Sequence, residues 1–174
     1  MKNSSTLLTN SRINTDEQTM KVQIATEKDI PEWMNLAREV EPLFGPMVDD
    51  PKFHSGLRNC IAEKQAFCVR DEDGPPGSLL SGGLLFSGKH HVYKIGWLAV
   101  SKAKHRMGIG SLLIEYVLGL VGAPAEISVK TFTKDNKEGI PARNLYMKYG
   151  FRPHGKAPPG PDGTCPEIFK KVVR

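Results

Sequence analysis

The sequence predicts a single α/β domain of mixed α+β type. Its central sheet is mixed but mostly antiparallel, with helices flanking it. Three observations carry this. The chain has 174 residues, enough for one domain with a sizeable core. Short strand-like runs and helical periodicities follow one another in the order β-α-α-β-β-β-α-β-α-β-β. Three consecutive strands in the middle call for antiparallel neighbours, and the later strand-helix-strand step calls for a parallel pair.

Residues 1–20 are rich in Ser, Thr and Asn, have little to bury, and read as a flexible N-terminal segment. The folded domain then spans 21–174. Val22-Gln23-Ile24-Ala25 alternates and reads as the first strand. Thr26 to Asp29 supplies helix-start chemistry, and Pro31 is tolerated in a first turn. Ile30, Trp33, Met34, Leu36 and Ala37 then form a helical face that runs to about Val40. Residues 41–51 hold Pro42, Gly45, Pro46 and Pro51 and read as an irregular loop. That loop also carries Leu43, Phe44, Met47 and Val48, which suit a cap on the core or the wall of a pocket. A second helix is expected over roughly 52–64, with Phe53, Leu57, Cys60 and Ile61 on one side.

Residues 66–70 form a strand, 71–77 a turn, and 79–87 the next strand, in which Gly82-Gly83 signals a bulge or a close approach. Val92 to Val100 is apolar on both faces apart from Lys94, so it belongs near the centre of the sheet. Ile109, Leu112, Leu113, Tyr116, Val117 and Leu120 recur at spacings of three and four and give the clearest helix, ended by Gly122-Ala123-Pro124. A strand at 126–132, a polar loop at 133–141 and a short helix at 142–149 closed by Gly150 come next. Phe151 opens another strand, 154–166 is a Pro/Gly-rich excursion, and 167–173 is the last strand.

Composition narrows the partners. The formal charge of +5 suits an anionic small ligand as well as it suits nucleic acid. The basic residues are scattered and no RNA-binding aromatic signature occurs, so no nucleic-acid partner is expected. No run reaches the ~18 apolar residues of a membrane span, so no membrane partner is expected either. Cys60, Cys68 and Cys165 are odd in number and lack zinc-ligand spacing, which fits reduced thiols and no metal site. Residues 1–20 lack a signal peptide's apolar centre, and the expected location is the cytoplasm.

The stretch with most chemistry is 105–111. A strand ends at Leu98-Ala99-Val100, a basic turn follows, and a helix opens at His105-Arg106-Met107-Gly108-Ile109-Gly110-Ser111. A glycine-rich helix start offers unpaired N–H groups and the positive end of a dipole, which together bind phosphate. A Walker loop is excluded, because no Gly-Lys-Ser/Thr occurs. A dinucleotide fingerprint is disfavoured, because its third glycine is Leu113 here.

These residues resemble the signature of the GNAT superfamily of acyl-CoA N-acyltransferases. In that family a strand ending L-x-V leads to Q/R-x-x-G-x-G/A at a helix start, and Leu98-Ala99-Val100 followed by His105 to Gly110 has that form. A second signature, A-x-x-L-Y-x-K-x-G-F, is met by Ala142 to Phe151. The chain departs at His105, where the family has Gln or Arg, at Gly139, where it often has Asn, and at Lys94, where some members have a glutamate base.

The resemblance implies a GNAT-like fold, with 21–174 as an N-acetyltransferase domain. It implies acetyl-CoA as donor, with CoA as product, and a small-molecule or peptide amine as acceptor. It implies that the backbone from Arg106 to Ser111 rings the pyrophosphate, with Leu98, Ala99, Val100, His105 and Asn136 also on the cofactor side. The central strand and its partner are expected to splay apart there. Tyr146 stands where many members have the general acid for the leaving thiolate. Glu41, Asp49 and Asp50 flank the loop that often borders the acceptor site in the family, where carboxylates suit a cationic amine; Glu41 and Phe44 of that loop are the substrate-side candidates, and homodimers are a family habit. The base is unassigned; His90 and His91 are weak candidates. The second reading is a non-catalytic acyl-CoA-binding or sensing module.

Overall fold

The computed structural model describes residues 20–160 and 162–174. The flexible segment expected over 1–20 therefore lies, Met20 apart, outside the described residues. Strands β1 (Gln23–Ile24), β2 (Ala66–Arg70), β3 (Leu80–Lys89), β4 (Val92–Val100), β5 (Ala125–Thr131), β6 (Arg152–Lys156) and β7 (Glu167–Val173) form one sheet. Its order is β1-β2-β3-β4-β5-β7-β6, which puts β4 at the centre. Only β4 and β5 pair in parallel; every other described pair is antiparallel.

Helices α1 (Ile30–Phe44) and α2 (Pro51–Ala62) cover one face, and α3 (Ile109–Leu120) and α4 (Ile140–Lys148) cover the other. The buried positions of α1 are Trp33, Leu36, Ala37 and Val40, a stripe at helical spacing. Those of α3 are Ile109, Leu113, Ile114 and Val117. Gly82 and Gly83 serve close approach on opposite faces of β3. A Cβ on Gly82 would stand 2.7 Å from Ile109 Cγ2, and one on Gly83 would stand 2.9 Å from the Trp33 ring. The two glycines thus let one helix from each layer rest on the same strand.

The entry to α1 is pinned from a distance. Asp29 closes a capping box with Thr26, whose N–H it accepts at 2.8 Å. The same carboxylate accepts from Arg70 Nε at 2.9 Å, Arg70 Nη2 at 2.7 Å and Gly77 N–H at 2.9 Å. Both side chains are buried. Burial alone would raise the Asp29 pKa, but the Arg70 hydrogen bonds and the two N–H donors outweigh it and hold the carboxyl below its ordinary value.

Two boundaries differ from the sequence expectation. The first helix does not stop near Val40 but runs through Pro42 to Phe44. Pro42 forfeits only one N–H near the end of the helix, and Gly45, with φ of 88°, ends it by donating its N–H to the Glu41 carbonyl at 2.7 Å. The irregular loop is shortened to 45–50. The second difference lies at 154–156, expected in a Pro/Gly excursion. These residues continue β6, paired with β7 across an irregular register.

Candidate active site

The site begins at a defect in β4. In the β3–β4 ladder Leu85 faces Trp97 and Phe86 faces Ile95, so Gly96 is an extra residue on β4, a bulge. A bulge bends a strand and sharpens its twist. Pairing of β4 with β5 ends at the same point, with Ile95 opposite Val129. From Gly96 to Val100 the β5 side of β4 is open.

The Ser101 N–H donates to Ser81 on the β3 side at 2.9 Å. By strand alternation, the N–H and C=O groups of Leu98 and Val100 point the other way, into the gap. This is the splay that the family resemblance implies. The cleft has a volume of about 730 Å³, and Leu98, Ala99 and Val100 line it.

At the end of β4 the chain makes a short 3₁₀ turn, Lys102–Lys104, and then passes through left-handed residues at Arg106 (φ 63°) and Gly108 (φ 79°) before α3 starts. Among the described residues, the N–H groups of Arg106, Met107, Gly108, Ile109, Gly110 and Ser111 meet no acceptor within the chain; the first amide of α3 to do so is Leu112, on the Gly108 carbonyl at 2.9 Å. Six free donors at the positive end of a helix form an anion-binding nest. Lys102, Lys104 and Arg106 add charge at the rim, although Lys104 is also paired with Asp71 at 2.8 Å.

The two glycines of the turn differ. Gly108 needs its left-handed conformation and has open space around it, whereas a Cβ on Gly110 would stand 2.9 Å from Leu145 Cδ2 of α4. His105 is exposed, and its Nε2 donates to the Val100 carbonyl at 3.1 Å, folding the turn back on the strand.

Tyr146 lines the cleft from α4 and is buried. Its ring meets Phe151 edge-on at 5.8 Å, and its carbonyl accepts from Phe151 N–H at 3.1 Å. Among the described residues its hydroxyl has no side-chain or backbone partner. Burial pushes the phenol above its ordinary pKa, so it stays protonated. Arg143 anchors the same helix by donating to the Phe132 carbonyl at 2.8 Å and pairing with Glu167.

The remaining residues singled out from the sequence fall in different places. Phe44 lines the cleft and packs on Phe132 at 5.3 Å between ring centres, joining the end of α1 to the segment after β5. Glu41 lies outside the lining; its Oε1 accepts from Met47 N–H at 3.0 Å and Val48 N–H at 2.8 Å. These bonds hold its carboxyl below the ordinary value. Asn136 also lies outside the lining and caps the turn Lys137–Gly139, accepting from Glu138 and Gly139 N–H at 3.0 and 3.2 Å. His90 and His91 sit at the end of β4 remote from the gap. Cys68 is buried, and burial pushes its thiol up to about 12, which makes it a poor nucleophile.

Four lining residues escaped sequence reasoning. Glu39 of α1 accepts from Ser101 Oγ at 3.2 Å and from Lys102 N–H, tying the helix to the turn. Among the described residues, Thr131 Oγ1 is buried without a partner at the end of β5. Lys130 and Phe132 flank it. None carries a local pattern, because each is placed by register between distant segments.

Comparison with known proteins agrees with this geometry. A family model for the acetyltransferase (GNAT) domain matches residues 63–153. A GNAT-family acetyltransferase structure from Bacillus cereus is 19% identical, with a TM-score of 0.66 over 89% of this chain and 99% of its own. Arabidopsis thaliana Naa50, solved in complex with the bisubstrate analogue CoA-Ac-MVNAL, is 18% identical, with a TM-score of 0.67 over 88% and 99%. Ard1 from Thermoplasma volcanium is 17% identical, with a TM-score of 0.67 over 89% and 98%. At these identities the structures speak for the fold. Among curated proteins no relative matches.

Proposed function

This chain belongs to the GNAT acetyltransferase family, and on that premise we propose that it transfers the acetyl group of acetyl-CoA to a primary amine by direct attack, with both substrates bound together. As a family member it is an acyl-CoA acetyltransferase with acetyl-CoA as its cosubstrate. The observation that carries the reading is the junction of two features: the gap opened by the Gly96 bulge and the six free N–H groups of the turn that follows β4.

The residues present fit the cosubstrate. The turn from Arg106 to Ser111 holds the pyrophosphate by backbone donors alone, which explains why no side-chain cap is needed at Gly108. Leu98 and Val100 offer strand-type hydrogen bonds to an extended amide arm laid beside β4. Thr131 Oγ1 is a further polar handle on that side. The bound cosubstrate supplies an acetyl thioester.

A β4 N–H facing the gap stabilises the negative charge that develops on its carbonyl oxygen. The amine nitrogen forms the new C–N bond and gives up a proton to solvent; the C–S bond breaks, Tyr146 donates its hydroxyl proton to the departing sulfur, and the phenol recovers a proton from solvent as CoA leaves. The raised phenol pKa keeps that proton in place across the neutral range. Cys60 and Cys68 are held up in pKa by burial, which favours direct attack over an acyl-cysteine route. We place the enzyme in the cytoplasm on its three free thiols.

The test is free-thiol release from acetyl-CoA across a panel of primary amines. Amine-dependent release together with N-acetylated product supports the reading. No release with any amine, and no rise in melting temperature on adding CoA, overturns it.

A further inference from the structure

We infer that the acceptor is an amine carrying an anionic group, a carboxylate or a phosphate, near its nitrogen. This rests on the acetyltransferase reading and concerns the face of the sheet from which the amine reaches the gap. Tyr93 and Ile95 of β4, Val129 of β5 and Phe169 of β7 all pack in the core under α3 and α4. Strand alternation therefore turns Lys94, Lys130 and Lys170 to the opposite face. Lys171 confirms the parity, because its Nζ stands 2.8 Å from the Cβ position of Gly150 at the end of α4.

The register brings the three lysines together. Lys94 lies opposite Ser128, Ser128 lies opposite Lys170, and Lys130 is two residues along β5 from Ser128. Helices α1 and α2 pack mainly on β2, β3 and β4, and in the lysine area Lys94 and Lys130 are exposed while Ser128 and Lys170 are half-buried. The cluster adjoins the gap: Lys130 lines the cleft, and β4–β5 pairing stops one residue after Lys94.

The strand surface itself is net positive, with Lys94, Lys130 and Lys170 set against Glu126. Lys170 is paired with Glu126 at 2.8 Å, and among the described residues Lys94 and Lys130 have no ion-pair partner. Carboxylates on the facing elements are mostly committed. Glu39 is bound to Ser101 and Lys102, Glu41 to Met47 and Val48, and Asp50 to Lys52 N–H. On α1, Glu32 has a buried Oε2 without a partner among the described residues; Asp49 and Asp135 are exposed and Glu138 lines the cleft, and none of these four lies on the strand surface that carries the lysines. A polycationic acceptor would meet like charge beside the gap, whereas an anionic group would be drawn to it. The same positive field disfavours the protonated amine and so favours the neutral nucleophile.

The experiment compares size-matched acceptors with the full-length protein: phosphoethanolamine against ethanolamine, L-aspartate against its diamide, and Glu-Glu-Gly amide against Gln-Gln-Gly amide, with spermidine as the cation. Turnover is corrected for the neutral amine fraction, and binding to the CoA-loaded protein is measured by calorimetry. We expect the anionic member of at least one pair to lead by about tenfold in kcat/KM and in affinity. Lys130→Gln and Lys94→Gln should erase that lead through KM for the acceptor and leave KM for acetyl-CoA unchanged. Lys28→Gln, a remote surface change, should preserve it. Equal or better use of the neutral partners or spermidine overturns the inference while leaving the acetyltransferase reading intact. Absent turnover with CoA binding retained counts against that reading instead, and the calorimetric ranking still decides the charge preference.

Discussion

His105 Nε2 lies 3.1 Å from the Val100 carbonyl oxygen, a bond that ties the turn before α3 to the last residue of the central strand. That carbonyl would otherwise face the open gap beside β5. The bond fixes the angle at which the turn leaves the strand and presents its free amides. His105→Ala should weaken acetyl-CoA binding several-fold, while the loss of one exposed hydrogen bond costs stability only about 1 kcal/mol. Calorimetric affinity and denaturant unfolding of the variant check the two effects separately. His105→Gln keeps a donor near that position and should retain most of the affinity.

Gly108 and Gly110 separate two roles within one motif. Gly108→Ala meets no neighbour but must adopt a φ of 79°, so a cost on the order of 1 kcal/mol and a distorted turn are expected. Cofactor affinity should fall more than stability does. At Gly110 a methyl group has only the end of the Leu145 side chain to displace, and alanine also gains helix propensity of about 1 kcal/mol, so Gly110→Ala should be close to neutral. Gly110→Val overfills the contact and should cost about 1–3 kcal/mol, partly restored by adding Leu145→Ala. A double-mutant cycle in unfolding free energy measures that coupling.

The contrast between these glycines bears on how far the sequence could be read. Spacing locates the turn, the long periodic helix α3 and the succession of strands and helices along the chain, because each depends on local pattern; the insertion of β7 between β5 and β6 does not. The splay of β4 from β5 was implied by family resemblance, and its physical cause, the bulge at Gly96, left no local signal. The end of α1 was missed because Pro42 reads as a breaker, whereas Gly45 is the residue that caps the helix. Phe44 then reaches Phe132 across the cleft. Glu39, Lys130 and Thr131 act through segments far apart in the chain, and only the register brings them to the site. Asn136 illustrates the converse: a residue suited to ligand binding is occupied in capping a turn.

The Asp29–Arg70 pair should dominate the acid limb of stability. Both side chains are buried, and removing one leaves the other charged and unpaired, which costs about 3–5 kcal/mol. Asp29→Ala is therefore expected to lower unfolding free energy by that order. The sign with pH follows from the depressed folded-state pKa. The contribution is fully present above the unfolded carboxylate value near ~4 and is lost as pH falls through the lower folded value. Denaturant titrations between neutral pH and pH ~3 should give a steep loss for the native protein and a shallower one for Asp29→Asn, which has no carboxylate to protonate.

Tyr146→Phe isolates the proposed proton donor. The ring would keep its edge contact with Phe151 and its place in the core, and among the described residues no hydrogen bond within the chain is lost. Stability should therefore change by less than about 0.5 kcal/mol. Loss of a positioned acid costs roughly 10²-fold or more in turnover. The expected signature is a large fall in kcat with KM for acetyl-CoA nearly unchanged, since a proton donated only as the C–S bond breaks contributes little to ground-state binding. Because burial raises the phenol pKa, the native enzyme should show no alkaline loss of activity from Tyr146 at or below its ordinary value near ~10. A leaving thiol of lower pKa needs less help from an acid, so a more acidic thioester analogue should restore part of the rate in Tyr146→Phe. Steady-state thiol release with the two thioesters measures this. An unchanged kcat in the variant, with the fold intact, would remove Tyr146 from the mechanism and leave the departing sulfur to be protonated by solvent in the cleft.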